Sequence, residues 1–153
     1  MTLEAILAYL HLLAILTMVV FVASEAALCR AQWLNAAVVE RLAKVDMVYG
    51  IAAIAVLATG IARTWWGVKG TAWYWTNPLL HVKLGLFIIV GVLSIYPTVV
   101  FASWKGAVKR GEAPVVSAEA ARRIRLCLFL ELAGIAGILL AAPLMARGIG
   151  SFG

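Results

Sequence analysis

The chain has 153 residues, of which 65% are hydrophobic and only 13% charged, and its mean hydropathy is +1.02. A water-soluble core of this size cannot bury so much apolar surface, so the sequence is that of an integral membrane protein with almost no soluble mass. The formal net charge of +6 reads as membrane topology and attraction to anionic lipid headgroups, and excludes nucleic-acid binding as its explanation.

Four apolar segments of spanning length follow one another, at about residues 3–28, 47–66, 78–104 and 124–146, within one domain covering 1–153. The first opens Met-Thr-Leu-Glu, without the positive region of a secretory signal, and its apolar run is too long for one; it is expected to be a retained span. His11 lies roughly two turns inside it. His11, Met18, Val22 and Glu25 fall on nearly one face, because fourteen residues make close to four helical turns. That face is expected to point into a bundle, with Glu25 near Asp46 of the second span or Glu131 of the fourth.

The second span reaches full length only if Arg63 snorkels and Trp65 and Trp66 extend it into the interface. Gly50, Ala53, Leu57 and Gly60 give it a narrow stripe suited to close helix approach. The loop GVKGTAWYWTN follows, crowded with Trp73, Tyr74 and Trp75, which suit an interfacial belt or the edge of a cofactor slot. Asn77 and Pro78 form a good helix start for the third span. His81 then stands about one turn inside, and Lys83, two residues on, points about 200° away from it. Only one of the two can face the centre of a bundle. Pro97 frees the carbonyl near Leu93, with Ser94 or Thr98 as expected substitutes for the lost donor. In the fourth span Ala133, Gly134 and Gly137 form a second small-residue surface, compatible with a homodimer, and Glu131 is expected to ion-pair with Arg125 or serve a proton path.

Nine of the thirteen Lys and Arg residues lie between spans one and two or between three and four. This bias places those loops in the cytoplasm and both termini outside. An all-α, up-down four-helix bundle follows, with both histidines in the outer half. Cys29 and Cys127 fall near the cytoplasmic ends, where thiols stay reduced; they read as structural thiols, and the absence of CxxCH excludes covalent c-type haem.

Ionisable side chains inside a membrane are costly and mark functional sites. Two imidazoles alone are too few ligands for a closed zinc site, and Met18, Met47 and Met145 form no evident copper cluster in the sequence. Non-covalent haem b needs one or two axial ligands and an apolar slot, which the inventory fits best. His11 is the first candidate ligand, His81 and Lys83 the next, and Arg63 or Lys69 a partner for a propionate. A haem-free path for copper or a small solute, lined by His11, Lys83 and Glu131, is the alternative from another functional class.

His11 together with the run His81-Val82-Lys83-Leu84 resembles the HemJ-type protoporphyrinogen oxidases. The segments DMVYGIAAIAVLATGIAR and NPLLHVKLGLFIIVGVLSIYPT resemble still more closely an uncharacterised bacterial membrane family grouped with HemJ and CopD-like proteins. The resemblance covers all four spans, with HVKL its most specific part. It implies a multi-pass protein of the bacterial cytoplasmic membrane, haem b, His11 and Lys83 as the haem and catalytic pair, and a porphyrin substrate with a quinone acceptor. The first span departs from the HemJ pattern in lacking an arginine soon after its aromatic-rich end, since Arg30 comes later.

Overall fold

A computed structural model of the chain describes residues 2–149. These residues form helices α1 (Thr2–Leu28), α2 (Ala36–Trp66), α3 (Thr71–Thr76), α4 (Pro78–Lys109) and α5 (Ala118–Ala146), with a single 3-10 turn at Ala31–Trp33 and no strand among the described residues. The four long helices are long and apolar enough to cross a membrane. Their outward faces carry large apolar side chains such as Leu16, Ile54, Ile88 and Leu140, which suit contact with lipid.

Helices α1 and α2 pack along each other, as do α4 and α5, and contacts of α2 with α4 and of α1 with α5 close the ring. This is the up-down bundle expected from four spans with short connections. The first half of α1 and the ends of α2 and α5 meet the start of α4 at one end of the bundle, called here the terminal end. The other end carries most of the basic residues and is called the basic end.

The helices outrun the apolar segments. Helix α2 begins at Ala36 rather than near Met47, α5 at Ala118 rather than Ile124, and α4 continues to Lys109. Hydropathy marks only the part of a helix surrounded by lipid, whereas these helices of 27–32 residues are about 40–48 Å long at ~1.5 Å per residue. Their extensions are amphipathic turns with good caps. Asn35 accepts from the Val38 amide (3.0 Å) while Val39 and Leu42 are buried and Glu40, Arg41 and Lys44 face outward. Ser117 likewise accepts from Ala120 N (3.0 Å), Ala121 and Ile124 are buried, and the exposed Arg123 pairs with Glu119. At the head of α4 the Asn77 side chain accepts from Leu79 N (2.9 Å) with Pro78 in the first turn, as the sequence implies.

Three of the small residues lie at contacts inside the bundle, Gly60 against His11 and Gly134 and Gly137 against α4, whereas Gly50 faces open space and Ala133 is exposed. A Cβ at Gly134 would lie 2.6 Å from Val90 Cγ2, and one at Gly137 would lie 3.3 Å from Leu86 Cδ1, so α4 and α5 meet across glycine. Pro97 sits within an unbroken α4. Neither expected substitute serves Leu93: Ser94 donates to the Gly91 carbonyl (2.8 Å) and Thr98 to Asp46 Oδ1 (2.7 Å).

A cavity lined by imidazole and cations

Between the terminal-end halves of the long helices lies a cavity of about 420 Å³, within the ~300–1,000 Å³ typical of small-molecule sites. Seven-residue steps along the helices build it. His11 and Met18 on α1, Val56 and Arg63 on α2, and Lys83 on α4 face inward, with Ile135 and Met145 from α5. The loop after α2 and helix α3 add Lys69, Trp73, Tyr74 and Trp75 at the mouth. Trp65 and Trp66 remain exposed, so the aromatic group divides between cavity wall and interface.

His11 is held in a defined tautomer. Its Nδ1 lies 2.8 Å from Thr59 Oγ1, and that oxygen lies 2.6 Å from the Ala55 carbonyl one turn earlier in α2. A hydroxyl and a carbonyl this close share the hydroxyl proton, so Thr59 donates to Ala55 and must accept from His11. Nδ1 therefore carries the imidazole proton, and Nε2 keeps its lone pair. Gly60 makes the approach of the ring possible, since a Cβ there would stand 3.1 Å from His11 Cε1. Sequence reasoning missed Thr59; its only signal is a hydroxyl in the apolar stretch between Tyr49 and Arg63.

Arg63 and Lys83 line the same cavity and have no hydrogen bond or ion pair among the described residues. No carboxylate lines it. Lys69 acts as a tie instead, since its Nζ donates to the Ala146 carbonyl (2.9 Å) at the end of α5 and sits 4.1 Å from the centre of the Trp73 ring. It fastens the loop across the mouth.

His81 does not join His11. It is exposed, outside the cavity lining, with Nε2 donating to the Trp75 carbonyl (2.9 Å) and its ring edge-on to Trp75. The two-residue offset decides this, because the face of α4 that turns Leu80, Lys83 and Leu84 to the cavity turns His81 away. The expected pair of histidines at one metal is thus not brought together, whereas His11, Lys83 and Arg63 are. Met18 and Met145 also line the cavity, although the sequence offered no methionine cluster, while Met47 is exposed.

Below the cavity, toward the basic end, lies a second polar layer. Tyr49 of α2 donates to Glu131 Oε2 of α5 (2.9 Å), and the expected Glu131–Arg125 ion pair does not form. Arg125 lies over the Phe129 ring instead. Glu25 stands in the same layer, near enough to Asp46 and Glu131 for their charges to repel. Among the described residues no three His, Cys, Asp or Glu side chains are arranged to hold a metal ion.

Cys29 and Cys127 are free, the first fully buried and the second partly so. Burial pushes the Cys29 thiol, just beyond α1, from 9.0 up to about 11. Since only the thiolate attacks an alkylating agent, the reaction of Cys29 with iodoacetamide in the folded protein is expected to be slow at neutral pH. Its rate is expected to climb about tenfold per pH unit and to level off near pH 11 rather than 9. Mass spectrometry of the alkylated peptide checks this, and levelling near 9 would contradict the burial.

Fold and cavity together define a helical, multi-pass membrane protein with an imidazole and two unpaired cations around an apolar chamber. The particular family follows from the sequence: the model of a family described as predicted membrane protein (DUF2214) matches residues 3–150, and the chain belongs to that family. No curated protein and no solved structure gives a match.

Proposed function

We propose that the cavity binds haem b without a covalent link and that the protein is a redox protein of a bacterial cytoplasmic membrane, transferring electrons or oxidising a porphyrinogen with a quinone as acceptor. The observation that carries this reading is the committed tautomer of His11. A ligating histidine ordinarily donates its second ring nitrogen to an outer partner, which fixes the ring and raises its basicity, and Thr59 does this for His11. Nε2 is left as a neutral nitrogen donor suited to iron.

The rest of the chamber fits the same ligand. Its largely apolar walls suit a porphyrin face, and Arg63 and Lys83, unpaired in an apolar setting, favour a dianionic partner such as the two propionates. The resemblance of His11 and the HVKL run to HemJ-type oxidases points to the same pair, His11 and Lys83. Bound haem supplies one-electron chemistry. The chain itself orients the ligand through His11, neutralises its carboxylates, and excludes water with the Trp73–Trp75 cover clasped by Lys69.

Copper handling is the second reading, favoured by Met18 and Met145 beside His11, a soft donor set for the reduced ion. Arg63 and Lys83 argue against it, because two uncompensated positive charges repel a metal cation.

An absorption spectrum of detergent-purified protein, oxidised and dithionite-reduced, with extracted haem quantified against protein, tests this reading. A Soret band that shifts on reduction, at about one haem per chain or per dimer, is the expected result. Protein from cells supplied with a haem precursor that shows no Soret band, but carries copper, would replace haem with the copper reading. In the same assay His81→Ala is expected to keep its haem, since His81 faces away from the cavity; loss of haem in that variant would return it to the ligand set.

A further inference from the structure

The layer beneath the cavity has chemistry of its own, independent of what the cavity holds. Glu25 and Glu131 are 1% and 0% exposed, inside spanning helices, and Oε1 of each has no hydrogen-bond partner. A carboxylate oxygen can only accept, so an ionised pair would leave two buried acceptors unanswered and two negative charges close together in an apolar interior. A proton on each carboxyl removes both charges and their repulsion, and turns each group into a donor as well as an acceptor.

Among the described residues, none of the surrounding charged groups forms an ion pair with either glutamate. Beside Glu25, the residues just past α1 bring Cys29, with Arg30 next in sequence; α2 brings Asp46 and Tyr49, α4 brings Ser94 and Thr98, and α5 brings Arg125 and Cys127. Tyr49 answers only Glu131 Oε2, and Thr98 only Asp46. The two arginines lie over aromatic rings, Arg30 4.6 Å from the Trp33 centroid and Arg125 5.8 Å from that of Phe129; Nε of each is buried without a hydrogen-bond partner, yet neither forms an ion pair with a carboxylate. Toward the cavity, Met18, Val56, Val90 and Ile135 form an apolar rung, all of it buried. Toward the basic end, Asp46 is only half-buried and its partner Thr98 is exposed.

We propose that Glu25 and Glu131 form a proton-binding site within the bundle, held neutral at physiological pH and exchanging its protons with the basic end past Asp46. Tyr49 holds the Glu131 carboxyl in place as a positioning residue. The site gives a four-helix membrane protein a store of exchangeable protons one apolar rung away from its ligand cavity.

Infrared spectroscopy of the full chain tests this, in a maltoside detergent, which carries no carbonyl group. At pH 7 the wild type is expected to show the C=O stretch of a protonated carboxylic acid, shifted to lower frequency after transfer to D2O. Glu25→Gln and Glu131→Gln are each expected to remove part of that band and together all of it. Because glutamine is a neutral near-isostere of the protonated acid, both variants are also expected to fold with unchanged helix content and thermal midpoint. Absence of the acid band at pH 7, its persistence in the double variant, or its failure to shift in D2O would overturn the proposal. So would collapse of the glutamine variants, because that result identifies an ionised glutamate compensated by Arg125 or Arg30.

Discussion

His11→Ala is expected to yield a protein with wild-type helix content and no retained haem. The substitution removes the one imidazole that lines the cavity and leaves the apolar walls, the cations and the caps of α2, α4 and α5 in place, so fold and ligation should separate cleanly. Thr59→Val is the graded counterpart. It keeps the shape of the side chain but removes the oxygen that accepts from Nδ1 at 2.8 Å, and loss of such an outer partner typically weakens a metal site about 10–100-fold. Haem per chain after purification, with the Soret position in both oxidation states, reads both variants. Equal occupancy in wild type and His11→Ala would remove His11 as ligand. Full affinity in Thr59→Val would show that the ring needs no outer partner.

The second large effect is on stability. Gly134→Ala is expected to destabilise the bundle by about 1–3 kcal/mol, the usual cost of forcing an extra methyl into a packed interior, because its Cβ would stand 2.6 Å from Val90 Cγ2. Val90 is buried in the apolar rung between cavity and carboxyl layer, and its branched side chain has little freedom to turn aside. Val90→Ala in the same chain creates the space the new methyl needs, so the double variant should recover most of the loss, a coupling measurable by thermal or SDS titration. Additive losses would mean that the two positions do not touch. By comparison Gly50→Ala, with nothing within 4 Å of the added Cβ, should be neutral or slightly stabilising.

Several features of the site were legible along single helices. The fourteen-residue interval from His11 to Glu25 correctly placed Met18 and Val22 on a buried face of α1, because that regularity is set by the local helical repeat. The Asn77-Pro78 start and its cap were equally local. The 200° offset of His81 from Lys83 was also visible, but its sense was not: a helix shows that two residues oppose each other without showing which of them a neighbour will cover. Packing against α2, α3 and α5 turned Lys83 inward and left His81 to the Trp75 carbonyl. Similarly, the charge pattern suggested Arg125 for Glu131 because they are near in sequence, whereas the phenol that reaches Glu131 comes from the diagonal helix.

The division has a simple physical basis. Composition and hydropathy select the solvent, and lipid then requires each span to satisfy its backbone within itself, so helix, number of spans and all-α class are decided residue by residue along the chain. Side-chain partners obey no such local rule. The bond that sets the His11 tautomer joins residues 48 apart and the bond that positions Glu131 joins residues 82 apart, so the chemistry of each polar group was decided only when four helices met at particular rotations and heights.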